Sequence, residues 1–371
     1  MQALVFLAVL SVVVLIHEGG HFLTARLFDI KVEEFGFGLP PRLVKLFKKG
    51  ETEYTLNWLP IGGFVKLYGE NGLQEGVEDK RAFGSKPIWQ RAVVLTAGVI
   101  GNFLLAVVLF GVVYSVLGIP TAIDGAAVSE VVEGTPAAMA GIEEGMIIKE
   151  IVIGEESIDV ENVPDLITQI EEYKGKKIGL RVEKEGESRV VELTPRENPP
   201  EGEGSLGVVI TDSQLKKYPL WQMPFRGAWV GLKEALAWGA EIVLGLKDVF
   251  TRLITGQGIA PEEVAGPVGI YQVTGQVSRM GIWPLLQFIG VFSVNLAILN
   301  MIPFPALDGG RVLLLGVEKV RGKKMEARVE QWINALGMMI LLGLMVAVTL
   351  NDVARLAGGW QKLWVKIWWW F

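Results

Sequence analysis

The chain has 371 residues, half of them hydrophobic, with a mean hydropathy of +0.39 and a net charge of −6. It is too apolar for an ordinary soluble protein, long enough for two or three structural units, and has no basic footprint for nucleic acid. It contains no cysteine. Disulfides and thiolate metal sites are therefore excluded, and any bound metal must take nitrogen and oxygen ligands.

Four apolar runs, 3–25, 93–118, 284–306 and 332–350, are long enough to cross a bilayer. No basic segment precedes the first and no small-residue cleavage site follows it, so it reads as a retained span rather than a signal peptide. It carries L-I-H-E-G-G-H-F-L, residues 15–23, with the only two histidines of the protein. His17 and His21 are four apart and share one face of a helix. At that spacing they can share one zinc, with Glu18 between them as general base toward a water. The plainer reading is a surface helix with two solvated histidines. Against it, an ionisable residue inside a span costs roughly 2.5–3.5 kcal/mol on insertion scales and is by default functional.

Residues 32–43, V-E-E-F-G-F-G-L-P-P-R-L, interleave Gly36 and Gly38 with Phe35 and Phe37, and Pro40-Pro41 follow. That density of Gly and Pro predicts no helix. Residues 53–68 are strand-like, broken at Pro60 and Gly62-Gly63. Together they predict short membrane-associated β-hairpins, whose backbone must be covered by protein or line a wet cavity. They form either an amphipathic cytoplasmic loop or a platform whose strand edge pairs with an extended substrate. Asn102, inside the second run, reads as a helix–helix hydrogen bond.

Residues 119–215 alternate short β-type runs (127–132, 147–152, 178–183, 190–194 and 206–210) with helix candidates at 136–140 and 163–172. This pattern predicts a small mixed α/β barrel. Residues 226–254 repeat apolar positions at helical spacing, predicting an amphipathic helix that either lies in the membrane interface or faces a soluble core. The tail beyond 350 is rich in Trp and reads as an interfacial anchor.

Two histidines do not complete a catalytic zinc site, for which three protein ligands are typical. With no further His and no Cys, the third ligand must be an oxygen at membrane depth. Asp308 is the one acid in 284–310. Pro303 and Pro305 break the helix before it, and Gly309-Gly310 let the chain turn after it. The alternative is a helix-terminating Asp-Gly turn. Asn300 is placed to hydrogen-bond a substrate backbone or an oxyanion, or else to pack helices; Asn295 reads as packing alone.

Charge bias gives an orientation. Residues 309–330 hold Arg311, Lys319, Arg321, Lys323, Lys324 and Arg328 against three acids, 26–92 are also basic, and 119–220 are acidic. The positive-inside rule puts the first two segments in the cytoplasm and the third outside.

Residues 131–148, V-V-E-G-T-P-A-A-M-A-G-I-E-E-G-M-I-I, resemble the core of a PDZ domain, whose carboxylate-binding loop would then lie near Gly204-Ser205-Leu206-Gly207. Taken in order, H-E-G-G-H, G-F-G-L-P, L-P-I-G-G-F-V-K-L, R-A-V-V-L-T-A-G-V-I-G-N-F, the PDZ-like insert and N-M-I-P-F-P-A-L-D-G-G-R cover nearly the whole chain. The whole resembles the site-2 protease family of intramembrane zinc metalloproteases, of the bacterial regulator-of-sigma-E protease type.

That resemblance implies a multi-pass α-helical membrane protein with four transmembrane helices, membrane-associated β-hairpins and one inserted PDZ-like α/β domain. Its parts are 1–118 and 284–350 (catalytic membrane parts), 119–215 (PDZ-like), 216–283 (interfacial helix and linker) and 351–371 (tail). It implies Zn2+ held by His17, His21 and Asp308, Glu18 as catalytic base, and Asn300 in contact with substrate. The implied reaction is hydrolysis within transmembrane segments of single-span proteins, such as anti-sigma factors or signal-peptide remnants. The implied location is the bacterial inner membrane, with the PDZ-like domain outside and the active site toward the cytoplasm. One departure is that the type carries two tandem PDZ domains, and the space here allows one. Two rivals are a prenyl-protein-processing type of membrane protease, which would need another third ligand, and an inactive scaffold binding peptide tails through its PDZ-like domain.

Overall fold

A computed structural model describes residues 1–70, 79–184, 186–200, 203–257 and 266–356, without the side chains of 39–40 and 59–61. The part of the Trp-rich tail from 357 onward lies outside the described residues. Two compact units emerge, one of residues 1–113 with 228–371 and one of residues 114–227.

The first unit holds the long helices. Among the described residues, four are long and apolar enough to cross a membrane: α1 (Gln2–Leu27), α2 (Ile88–Leu117), α7 (Ile282–Met301) and α9 (Ala327–Leu356). A helix satisfies its own backbone hydrogen bonds, which is what an apolar run needs where water is absent. Exposed Leu4, Leu15, Leu104, Val108, Leu336 and Leu344 give these helices apolar outer faces. α1 and α9 extend past the expected residues at both ends and α2 at its start, where polar residues prolong the helix, whereas α7 stops at Met301, before the expected 306.

Between α1 and α2 run β1 (Val32–Lys49) and β2 (Thr52–Leu67). Glu34 faces both Lys66 and Glu53, Phe35 both Val65 and Tyr54, Gly36 both Phe64 and Thr55, and Phe37 both Gly63 and Leu56. The first half of β1 is therefore paired on both edges. Among the described residues, the segment 63–67 has β1 on one edge and no strand on the other.

Two further helices stand where the sequence suggested connecting loops. The expected linker after residue 254 contains α6 (Pro267–Arg279). Its glycines and β-branched residues hide the helical pattern, and a carboxylate from another helix, Asp352 of α9, accepts from Gly269 N–H at 2.8 Å. The basic segment 309–330 contains α8 (Asp308–Arg321), ended by Gly322 in the left-handed region at φ 64. The amphipathic helix α5 (Met223–Thr255) forms as expected.

The second unit is a six-stranded sheet, in the order β7-β6-β4-β3-β8, with β5 paired to β4. Its strands are β3 (Ile119–Val131), β4 (Ile147–Ile153), β5 (Glu156–Asp159), β6 (Ile178–Lys184), β7 (Glu187–Leu193) and β8 (Val208–Lys216). β7 and β8 lie at opposite ends of that order, so the sheet is open where a barrel was expected. The short β5 was missed because it is a four-residue return of β4 with little apolar content. Helices α3 (Pro136–Met139) and α4 (Val163–Glu172) start at Thr135 and Asn162, whose side chains accept from Ala138 and Asp165 N–H. Val128, Ile148, Ile151, Leu166, Leu180 and Val182 fill the core.

In the first unit a separate core of Ala25, Ile30, Val32, Leu67, Val94 and Leu315 joins α1, the β1–β2 sheet, α2 and α8. Beside it Arg91 of α2 and Glu318 of α8 form a buried pair at 2.5 Å. Removing one member of a buried pair strands the other charge. Glu318→Ala is expected to lower stability by about 3–5 kcal/mol, read as an earlier thermal unfolding transition in lipid nanodiscs.

Candidate metal centre

α1 carries His17, Glu18 and His21, and both histidines are buried, 7% and 8% exposed. Their Nε2 atoms stand 3.3 Å apart. Asp308, the first residue of α8, brings its Oδ2 to 3.1 Å from His17 Nε2 and 3.3 Å from His21 Nε2. Metal–ligand bonds of about 2.0–2.1 Å in a tetrahedral site separate ligand atoms by about 3.3 Å, so the spacing fits. Asp308 Oδ2 is buried, lies near both nitrogens, and is aligned for a hydrogen bond with neither. Three lone pairs aimed at a common point give that arrangement. The donor set, two imidazoles and a carboxylate, is one that zinc favours, and the residues present fit such an ion.

Close packing of backbone sets these side chains. A Cβ at Gly98 of α2 would press on the rings of both His17 and His21, and one at Gly20 of α1 would meet the Ala97 carbonyl. α1 and α2 thus touch where small residues let them. A Cβ at Gly63 of β2 would lie 2.9 Å from Glu18 Cγ, so the sheet also closes on the site.

Asp308 lies beyond α7, the third candidate span. α7 stops at Met301, and residues 302–307 turn the chain before α8 begins. Pro303 and Pro305 cannot continue a helix, and Ala306 adopts φ 75. Gly309 and Gly310 then pack against the carbonyls of Met301, Ile302 and Phe304, where a side chain would clash. The two glycines after Asp308 let α8 fold tightly back on this turn.

The outward ring nitrogens also have neighbours. His21 Nδ1 is 2.7 Å from the Val94 carbonyl, to which it donates. His17 Nδ1 is 3.4 Å from the Asn102 amide. A cavity of about 560 Å³ opens beside the cluster, lined by Glu18, Asn300, Arg311 and residues 62–67 of β2. Arg311 is paired with Glu70 in its wall.

The structure therefore gathers His17, Glu18, His21, Asn300 and Asp308 around one cavity. Asn300 approaches to 3.4 Å from His17 Nε2. Asn102 bridges helices, as its sequence reading has it, and one of the groups it meets is His17. Val94, Gly98 and Glu70 were not singled out, and Gly63 and Arg311 were read only as part of a strand break and of a basic segment. For the α2 residues a signal existed: Gly98 and Asn102 repeat the four-residue spacing of His17 and His21, matching one helix face to the other.

The model of Peptidase family M50 matches residues 5–344. The regulator of sigma-W protease RasP of Bacillus subtilis is 28% identical over 95% of this chain and 98% of its own length. The zinc metalloprotease RasP of Geobacillus kaustophilus is 29% identical over 94% of this chain and 97% of its length. The chloroplastic membrane metalloprotease ARASP of Arabidopsis thaliana is 31% identical over 94% of this chain and 78% of its length. With helices of membrane-spanning length, a two-histidine, one-carboxylate cluster and a family match over most of its residues, this chain belongs to peptidase family M50, the site-2 protease family.

Proposed function

We propose that this chain is a zinc-dependent intramembrane endopeptidase that cuts single-span membrane proteins within their transmembrane segments. The convergence of His17 Nε2, His21 Nε2 and Asp308 Oδ2 beside a cavity that also holds Glu18 carries the reading. His17, His21 and Asp308 would hold the ion. Zinc, when bound there, supplies Lewis acidity toward a peptide carbonyl and makes a neighbouring water more acidic. Glu18 takes the proton of the attacking water and passes it to the leaving amine. Asn300, whose amide faces the same space, donates to the substrate backbone or to the developing oxyanion.

A substrate helix hides its carbonyls in its own hydrogen bonds and must unwind to be cut. The unpaired edge of residues 63–67 lies along the cavity and offers new backbone partners, which offsets the loss. The membrane part faces its site toward the cytoplasm by the charge bias of its loops. The unit 114–227 acts as a PDZ-like module that screens substrates. This is supported by β8, which ends its sheet, follows the Gly204–Gly207 turn and packs near α4, the arrangement strand addition requires.

Three outcomes test this reading. Glu18→Gln retains about one zinc per chain but loses about 10²–10⁴-fold in cleavage of a single-span substrate in proteoliposomes; undiminished cleavage contradicts the role of Glu18, and a scaffold would keep its function. Deletion of 121–215 admits substrates the full chain leaves uncut, seen as new cleavage products; unchanged selectivity contradicts the screening role. Gly98→Val keeps every ligand yet displaces the imidazoles, so zinc content by mass spectrometry falls well below one per chain, whereas Gly19→Ala, with open space at its Cα, retains it.

A further inference from the structure

The nitrogens of the two histidines that face away from the cluster are both served by α2. Val94 and Asn102 are eight residues apart, a little over two turns. A backbone carbonyl only accepts, so His21 carries its proton on Nδ1 and keeps a lone pair on Nε2. His17 has the same requirement: for Nε2 to ligate, Nδ1 must carry the proton and needs an acceptor. Asn102 is fully buried and its amide is the group within reach, at 3.4 Å. Among the described residues its Oδ1 is buried with no partner. The two ends of an amide are interchangeable by a half turn, and that half turn brings Oδ1 to the ring N–H.

We propose that Asn102 is a positioning residue whose side-chain oxygen accepts from His17 Nδ1–H and holds the ring in the tautomer and orientation that direct Nε2 to the metal. The residue also joins α2 to α7. Its backbone carbonyl accepts from Ser293 Oγ of α7 at 2.9 Å. Gly98, one turn earlier on α2, leaves the two rings room against the helix. One helix thus sets both tautomers, by backbone at Val94 and by side chain at Asn102, and only the second can be removed by substitution. This inference rests on zinc ligation by His17, His21 and Asp308.

The test uses the full chain in lipid, loaded with zinc and labelled with 15N-histidine, which reports on two rings alone. In the wild type both rings show a protonated Nδ1 and a bare, ligating Nε2. Asn102→Leu, similar in size but without an acceptor, makes the His17 signals heterogeneous and weakens zinc binding about 10–100-fold in competition with a chelator. Asn102→Asp restores the acceptor, the single tautomer and most of the affinity. Ser293→Ala, which touches only the helix–helix bond, leaves both readouts near wild type. A wild-type His17 protonated on Nε2 overturns the inference, as does equal loss in the Leu and Asp variants. A wild type that binds no zinc overturns the metal site itself, and this inference with it.

Discussion

Everything in the membrane part depends on bringing one carboxylate to two imidazoles in a place with little water. Each of these groups is costly to bury alone. Together, with Asp308 Oδ2 near 3.1 and 3.3 Å from the two nitrogens, they form a cluster that a divalent cation would neutralise. The rest of the unit can be understood as what holds that cluster closed. Glycines at 20 and 98 let α1 and α2 touch, glycines at 309 and 310 fold α8 onto its turn, and the Arg91–Glu318 pair locks α8 to α2.

This arrangement also separates chemistry from access. The ligands come from helices, whose positions are set by backbone contact. The neighbouring wall is a sheet with an unpaired edge at 63–67, lined up with Glu18 and Asn300 on one cavity. A rigid ligand set beside an open strand edge suits a peptide that must be held extended while one bond is attacked. Rigid ligands need their outer nitrogens satisfied, which is where Val94 and Asn102 enter.

Much of the site was legible because its chemistry is scarce. With two histidines and no cysteine, HEGGH could be completed only by an oxygen, and elimination led to Asp308. The four candidate spans were legible from hydropathy, and α4 as a helix candidate at 163–172. Less legible were features that depend on contacts distant in sequence. α6 is stabilised by Asp352 some eighty residues away, which no local pattern announces. α8 was hidden by its charged surface and by the two glycines that open it. Asn102 was read as a helix–helix hydrogen bond with no partner named, since a lone buried Asn gives no sign of which helix it faces. The doubled pairing of β1 likewise follows from a fold-back that alternation of residues does not encode.

The most direct measurement of the central claim is X-ray absorption at the zinc edge on the purified, lipid-reconstituted protein. The account expects a shell of nitrogen and oxygen at about 2.0–2.1 Å, with multiple scattering from two imidazoles. A shell of oxygen alone, without imidazole scattering, would contradict it, because His17 and His21 are the chain's only histidines.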